Sequence, residues 1–172
     1  DELSKDVQRL EVITDRFSKI GSLPKLSEEN VGEVLRSTGA YLQPRISKNV
    51  VINFRFEQAD KIMVPLNVSL FSWVVENLIK NAVDAMQGEG KIDVSIIDQK
   101  QFVYIDISDT GHGIPKAKQK TIFEPGYTTK KRGWGLGLSL TKRIIENYHN
   151  GKIFVKQSNE KGTVFRIVLK KY

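Results

Sequence analysis

The sequence predicts an α+β fold, a two-layer sandwich in which helices cover one face of a mixed, mostly antiparallel sheet. Stretches of alternating apolar residues occur in adjacent pairs, as the strands of antiparallel hairpins do. Longer stretches repeat apolar residues every three or four positions, as amphipathic helices do. The two kinds of stretch do not alternate strictly, which disfavours a parallel sheet built from βαβ units.

The first twenty residues are predicted to form one helix with an apolar seam. The seam positions alternate by four and three residues and are Leu3, Val7, Leu10, Thr14 and Phe17. Gly21 and Pro24 end this helix, because glycine releases the backbone and proline lacks the N–H that a helix needs. We therefore divide the chain into residues 1–24 and a main domain of residues 25–172. The seam packs either on that domain or on a partner helix, from a second chain or from sequence upstream.

The main domain is predicted to contain three helices and five strands, separated by turn residues. In chain order they are helix 30–43 before Pro44, strand 50–56, helix 67–87, strands 92–97 and 102–108, helix 136–148, and strands 152–157 and 163–169. Asn30 is placed to cap the first helix, since its side chain can accept a hydrogen bond from the first turn. A Gly- and Pro-rich stretch, 109–137, precedes the last helix.

The composition excludes several classes of protein. With 40% hydrophobic and 27% charged residues, the 172-residue chain is typical of a soluble globular domain. Its apolar runs are too short to span a bilayer, and the absence of cysteine excludes disulfides and thiolate chemistry. The formal net charge of +7 indicates an anionic partner, for which nucleic acid, an acidic membrane surface and a nucleotide are candidates.

The positive charge is concentrated in one segment. Residues 116–132 contain six Lys and Arg residues and one Glu, a net charge of +5, so the rest of the chain is close to neutral. A nucleic-acid-binding module would be expected to show a broad basic face with interleaved aromatic residues. The local excess therefore favours a small anion such as a nucleotide phosphate.

Two asparagines interrupt the apolar pattern of the predicted helix 67–87. Asn77 and Asn81 are four residues apart and therefore share one face of the helix. Asn is a modest helix former, so two of them in mid-helix favour a functional role. A carboxamide oxygen is a possible ligand of Mg²⁺, directly or through water. Two surface asparagines are an equally simple interpretation of this pattern alone.

A second motif, Asp109-Thr110-Gly111-His112-Gly113-Ile114-Pro115, follows a predicted strand. A carboxylate in this place can accept a hydrogen bond from an exocyclic amine such as that of adenine. The glycines let the backbone approach a ligand closely. The same pattern also occurs in ordinary turns.

Two further motifs follow, at residues 123–130 and 133–140. Phe123 could anchor a loop whose polar residues face phosphates, although a solvated basic loop explains the same residues. The glycines of 133–140 lie at a predicted helix start, where free N–H groups and the helix dipole favour an anion. No Gly-Lys-Ser or Gly-Lys-Thr follows, and the motif lacks the preceding strand of a Rossmann fold.

Taken together and in this order, the four motifs resemble the N, G1, F and G2 boxes of the sensor histidine kinase catalytic domain, in the GHKL ATPase superfamily. The likeness covers roughly residues 30–172 and includes the strand entry at 162–165. Residues 1–20 look like the second helix of the dimerisation and histidine-phosphotransfer hairpin. The Thr-Thr-Lys form of residues 128–130 is most like kinases of the nitrogen-regulation and sporulation type.

The resemblance implies a role for each matching residue. Asn81 would ligate Mg²⁺ and Asn77 would support the metal and phosphate region, so both are catalytic candidates. Asp109 would accept a hydrogen bond from the adenine amine, partly through water, and thereby select ATP over GTP. The other residues implied to bind the nucleotide are Lys80, Gly111, Gly113, Ile114, Phe123, Thr128, Thr129, Lys130, Gly133, Gly135, Leu136, Gly137, Leu138 and Thr163.

Within that set the resemblance distinguishes three parts. Ile114 would pack on the base, beside glycines that let the loop pass it. Phe123 would seat one end of an ATP lid, and residues 133–137 would wrap the triphosphate. Many family members carry a phosphate-binding Lys three residues after the metal-binding Asn, whereas this chain has Asp84. Lys80 or Lys130 is the candidate replacement for that contact.

The implied reaction transfers the γ-phosphoryl group of Mg-ATP to a histidine on a hairpin helix absent from this chain, and then to a response regulator aspartate. His112 and His149 are interpreted as surface or turn residues. The implied partners are the phosphotransfer hairpin, within a homodimer, and a receiver domain. We expect this fragment to contact neither nucleic acid nor a membrane, and we expect a cytoplasmic location whether or not the parent kinase is membrane-anchored. A serine kinase of the anti-sigma type and a catalytically idle ATP-binding scaffold remain as alternatives.

Overall fold

The computed structural model describes residues 23–57, 61–129 and 135–172, together with Ser4, Lys5 and Gln8. Most of the predicted helix 1–20 therefore lies outside the described residues, and the division at residue 24 stays a prediction. Among the described residues, no helix is both long enough and apolar enough to cross a membrane.

The described residues form seven strands in two sheets. The strands are β1 (Ser27–Asn30), β2 (Asn49–Phe54), β3 (Met63–Leu66), β4 (Glu89–Asp98), β5 (Phe102–Asp109), β6 (Lys152–Asn159) and β7 (Gly162–Lys170). Five of them make one sheet in the order β2-β4-β5-β7-β6, with β2 parallel to β4 and the other pairs antiparallel. The predicted α+β class and its mostly antiparallel sheet are confirmed.

A small second sheet, in which β1 pairs antiparallel with β3, was missed by the sequence analysis. Each of its strands has only four residues. The first is polar throughout, and the second contains Pro65, which cannot donate to a ladder. Neither strand shows the alternation on which strand prediction depends.

Three α-helices lie in the described part of residues 23–172: α1 (Val31–Leu42), α2 (Val68–Ala85) and α3 (Gly137–Arg143). Asn30 caps α1 as predicted, since its Oδ1 accepts a hydrogen bond of 3.2 Å from the Glu33 N–H. The Asn67 side chain caps α2 in the same way, through the Leu70 N–H at 3.1 Å. Pro44 does not end the helical conformation at once, because a short 3₁₀ turn of residues 43–45 continues from α1.

The last predicted helix is not uniformly α-helical. After α3 the chain continues as one π-helical turn, Ile144–Tyr148, before strand β6. A π turn widens the helix by one residue and is uncommon. Here it is followed by His149, whose ring bonds the Ile144 carbonyl at 2.9 Å.

The core lies between the helices and one face of the large sheet. Alternate residues of the strands face it, and the largest fully buried side chains on the strands and on α2 are Ile92, Ile105, Ile107, Ile167, Leu169, Phe71, Leu78 and Ile79. Helix α2 packs on this face of the sheet with its apolar residues turned inward. The side of α2 that carries Asn77 and Asn81 is half-buried and lies toward α3.

Candidate nucleotide-binding site

One side of α2 carries a line of residues spaced one helical turn apart. Asn77, Asn81 and Ala85 are each separated by four positions and are all half-buried. From Asn77 to Ala85 this stripe of residues advances eight positions, or about 12 Å at 1.5 Å per residue. The two other parts of the site contact this line at its opposite ends.

Asn77 is held by the start of α3. Its Nδ2 donates a hydrogen bond of 3.1 Å to Oγ1 of Thr141, a fully buried residue. Gly137 lies so close that a Cβ added there would be 2.6 Å from Asn77 Oδ1. The glycine is therefore needed for the helix start to approach the amide, a reason for Gly137 that the sequence analysis did not give.

Lys80 and Asn81 occupy the middle of the stripe. The Lys80 ammonium lies 3.0 Å from the Glu76 carboxylate, an ion pair one turn apart on the helix. Asn81 is half-buried between the two ends of the stripe. Asp84, which stands where the family often has a Lys, is exposed.

The loop of residues 109–114, called here the recognition loop, contacts the other end of the stripe. Its Asp109 carboxylate is only 6% exposed, and Oδ1 accepts hydrogen bonds from the N–H groups of Gly111 (2.8 Å) and Thr163 (3.3 Å). Burial raises the pKa of Asp109 above its usual value, and the two backbone hydrogen bonds counteract part of that rise. Oδ2 has no hydrogen-bond partner among the described residues, so an acceptor stands ready at a buried position.

The glycines of the recognition loop are packed against protein backbone. A Cβ on Gly111 would lie 2.7 Å from the Ala85 carbonyl oxygen at the end of α2. Gly113 has a φ of +83°, and a Cβ there would overlap the Asn159 carbonyl. The loop is thus held between the end of α2 and the turn that joins β6 to β7.

Ile114 and Thr163 meet through a serine that the sequence analysis did not single out. The Ile114 N–H donates to Ser158 Oγ at 2.7 Å, and Ser158 Oγ is also 2.7 Å from Thr163 Oγ1. Thr163 is buried, and Ile114 packs partly on the core. Ser158 shows no local sequence pattern, because its role depends on contacts 5 and 44 residues away along the chain.

Phe123, which the resemblance expects to seat one end of an ATP lid, lies in the hydrophobic core. It is buried, and its ring meets Phe165 edge to face with centroids 6.2 Å apart. The Lys142 ammonium of α3 lies 5.9 Å from the centroid of the same ring. Phe123 therefore anchors that end of the expected lid on the core.

Gly126 and Gly135 bring together the parts of the chain on either side of residues 127–134. The Gly126 N–H donates a hydrogen bond of 2.9 Å to the Gly135 carbonyl, and both residues have positive φ. Thr128 and Thr129 are exposed, whereas Lys130 and Gly133 lie outside the described residues.

The predicted nucleotide-binding residues Leu136, Gly137 and Leu138 lie at the start of α3. Leu136 is exposed and its carbonyl accepts from the Leu140 N–H, which is the first helical hydrogen bond. Leu138 is partly buried against the core. Lys116, Lys118 and Lys120 begin the basic segment 116–132, which the resemblance identifies as the ATP lid, and they are exposed to solvent.

The two histidines differ in their surroundings. His112 is exposed, as expected for a surface residue. His149 stands in a turn as predicted but is 4% exposed, and its Nε2 accepts a hydrogen bond of 3.1 Å from the Asn67 N–H. Burial lowers the pKa of His149, so the neutral ring is favoured. It links the start of α2 to the end of the π turn.

The site therefore has a buried acceptor at one end of α2 and a glycine-lined helix start at the other, with Asn81 between them. Among the described residues no three acidic, His or Cys side chains cluster as a ready-made metal site. This donor set fits a ligand with an amine-bearing ring and an anionic tail, whose own oxygens complete the coordination of a metal.

Comparisons with known proteins agree with this geometry. The family described as histidine kinase-, DNA gyrase B-, and HSP90-like ATPase matches residues 67–172. Sporulation kinase A of Bacillus subtilis (strain 168) is 36% identical over 138 residues, which are 80% of this chain and 23% of that protein. The chain spans between 23% and 40% of the length of the first curated relatives.

Solved structures extend the likeness to the fold. The nucleotide-free catalytic domain of the histidine kinase ThkA matches with a TM-score of 0.77 and 32% identity, over 86% of this chain and 96% of that one. A second structure, ThkA in complex with the response regulator protein TrrA, matches with a TM-score of 0.76 and 28% identity. That match covers 98% of this chain and 49% of that one.

The chain belongs to the histidine kinase-, DNA gyrase B-, and HSP90-like ATPase family. Within that family, its fold is the one found in the catalytic domains of sensor histidine kinases. The domain is accordingly an ATP-binding one, and the resemblance predicted from the four motifs is confirmed.

Proposed function

We propose that the chain is the catalytic part of a sensor histidine kinase. It binds Mg-ATP and transfers the γ-phosphoryl group to a histidine on a phosphotransfer hairpin, from which a response regulator aspartate receives it. The observation that supports this most is the unpartnered Oδ2 of the buried Asp109, on a fold shared with a histidine kinase catalytic domain.

Asp109 reads the base in this proposal. Adenine carries an amine donor at position 6, where guanine carries a carbonyl acceptor. The free Oδ2 of Asp109 accepts from the amine and repels the carbonyl. Because the Gly111 and Thr163 N–H groups hold Oδ1, the carboxylate keeps its orientation without the ligand.

The phosphate end is assigned to α2 and the start of α3. Asn81 would hold Mg²⁺ through its amide oxygen, with phosphate oxygens and water as the remaining ligands. Bound Mg²⁺ would neutralise charge on the phosphates. Asn77 keeps Gly137 and the helix start in place, because its amide is fixed by Thr141. Lys80 could reach a phosphate only by leaving the Glu76 carboxylate.

Transfer depends on positioning and electrostatics. A phosphoryl group passes between donor and acceptor with little covalent help from the protein, so the chain's task is to hold the nucleotide in line and exclude water. The basic segment 116–132 would then provide positive charge for the triphosphate. Gly135 and the start of α3 would supply backbone N–H groups to the phosphates, and the resemblance implies the same role for Gly133.

The partners follow from the proposed reaction. The phosphoacceptor histidine would lie on the chain's own hairpin in a homodimeric kinase, and the receiver domain of a response regulator would take the phosphoryl group. The structure of ThkA with the response regulator TrrA supports the second partner. The domain would work in the cytoplasm, where ATP is available.

Calorimetric titration with Mg-ATP tests the site. Asp109→Asn keeps both backbone hydrogen bonds but replaces the free acceptor by an amide that donates, so we expect about a hundredfold weaker binding. Asn81→Ala should weaken binding when Mg²⁺ is present and have little effect when EDTA removes it. The matched control is Asn147→Ala, an exposed Asn away from the site that should bind as the wild type does. Wild-type affinity in both site variants would contradict the assignment.

The acceptor is tested separately, by incubating the chain with radiolabelled ATP and a histidine-containing hairpin fragment. A histidine kinase yields acid-labile phosphate on the hairpin. Acid-stable phosphoserine on another protein would instead indicate the anti-sigma type of kinase, and ATP binding without any transfer would indicate a scaffold.

A further inference from the structure

The turn between β6 and β7 packs tightly on the recognition loop. A Cβ on Gly162 would overlap the Asp109 carbonyl, and a Cβ on Gly113 would overlap the Asn159 carbonyl. Each backbone thus approaches the other at a point where only glycine fits. The turn and the loop are packed as one unit, although they are about 50 residues apart in the sequence.

Ser158 joins that unit through its hydroxyl. A serine hydroxyl has one proton and two acceptor sites. The Ile114 N–H uses one acceptor site, and the other bond of 2.7 Å goes to Thr163 Oγ1. Thr163 in turn donates its N–H to Asp109 Oδ1. Ser158 therefore connects the side chain placed beneath the base, Ile114, with the backbone group that orients the carboxylate.

We propose that Ser158 is a positioning residue for recognition of the adenine amine. This inference rests on the proposed function, in which Asp109 reads the base. Ser158 lies behind the loop and acts through Ile114 and Thr163. It fixes the distance between the surface on which the base packs and the carboxylate that accepts its amine.

Replacing Ser158 by alanine removes both hydrogen bonds of its hydroxyl. Ser158→Ala leaves the Ile114 N–H and the buried Thr163 hydroxyl without the partner that now joins them. An unpaired buried polar group costs free energy, so we expect the recognition loop to shift until these groups bond to another protein group or to water. Such a shift moves the Asp109 carboxylate away from the adenine amine. The phosphate end, where Asn77 contacts Gly137 and Thr141, does not involve Ser158.

The experiment measures Kd for two nucleotides by calorimetry. ATP is compared with purine riboside triphosphate, which lacks the 6-amine, so the ratio of their Kd values reports the amine contact. For Ser158→Ala we expect an ATP Kd raised about tenfold and a ratio that falls toward one. Ser158→Thr keeps a hydroxyl and should restore both values. Ser95→Ala, on β4 and without a side-chain hydrogen bond to any described residue, should leave both unchanged.

The outcomes separate this inference from the proposed function. If wild type prefers ATP but Ser158→Ala keeps the wild-type ratio, the inference is overturned and the proposed function stands. An equal loss for both nucleotides also overturns it, since Ser158 would then only support the fold. Absence of ATP binding by the wild type overturns both. Should Ser158→Ala fail to unfold cooperatively, Ser158→Cys carries the same expectations, because a thiol keeps the shape and weakens both hydrogen bonds.

Discussion

The two ends of the nucleotide site are built differently. The recognition loop is held by hydrogen bonds to Asp109 and Ile114 and by two glycine contacts with neighbouring backbone. Among the described residues of the lid segment, a backbone hydrogen bond joins Gly126 to Gly135, Phe123 lies in the core and Tyr127 packs partly against it. In the proposed function, recognition of the base uses a prearranged surface, whereas Thr128 and Thr129 of the lid segment are exposed to solvent.

This difference has a physical rationale. A buried acceptor discriminates between bases only if it cannot turn to suit the wrong one, so its orientation has to be fixed in advance. Phosphates are bound by charge and by many backbone donors, which tolerate small changes of position. Fixed contacts at one end and exposed ones at the other therefore match the demands of the two parts of the ligand.

Two glycine substitutions give the largest expected effects and test the comparison directly. Gly113 and Gly126 both have φ near +85°, but a Cβ at Gly113 would overlap the Asn159 carbonyl, whereas none of the described residues comes within 4 Å of one at Gly126. Gly113→Ala should lower the free energy of unfolding by about 3 kcal/mol or more, from backbone strain plus the overlap. Gly126→Ala should lower it by only about 1 kcal/mol, from strain alone. Urea unfolding measures both, and equal losses would show that the recognition loop is no more constrained than the lid.

A substitution at the phosphate end should have a smaller effect of a different kind. Thr141→Val keeps the shape of the buried side chain and removes the acceptor of the Asn77 amide. We expect an ATP Kd raised about fivefold, with the preference for ATP over the amine-free analogue unchanged. Calorimetry on both nucleotides checks this. A changed preference would mean that the two ends of α2 are coupled.

The smallest expected effect is a gain of stability. Burial raises the pKa of Asp109, so ionising this carboxyl costs more in the folded chain than in the unfolded one. Its contribution to stability is therefore present at low pH and is lost as pH rises through the folded pKa. Asp109→Asn removes the charge, and we expect it to raise the free energy of unfolding of the ligand-free chain by about 1 kcal/mol at pH 7, but not at pH 3. A variant less stable than wild type at pH 7 would contradict this cause.

Sequence patterns predicted the parts of the fold that are local. The apolar repeat of α2, the cap Asn30, and the hairpin of β4 and β5 each follow from residues close together in the chain. The pairing of β1 with β3 was not predictable in this way, because neither four-residue strand shows an alternating pattern. The π turn was also missed, since its five residues continue a helical pattern.

The same distinction applies to the site. Asp109 and Asn77 stand in recognisable motifs, and the structure places them at opposite ends of one helix face. Ser158, Thr141 and Gly162 were not identified as site residues, because each acquires its role from a partner distant in the sequence. The family's roles for Asn81, Lys80 and the lid residues remain predictions that the ATP titrations address.

The hydrogen bond between Gly126 and Gly135 also allows the loop between them to change in length without changing the geometry of the site. Because both ends of the intervening segment are joined at this point, residues can be added or removed between them without shifting Phe123 or the start of α3. Doubling such a loop costs only about 0.6 kcal/mol of closure entropy. Related chains could therefore vary this segment in length and charge while the recognition loop, to which we assign the base, stays the same.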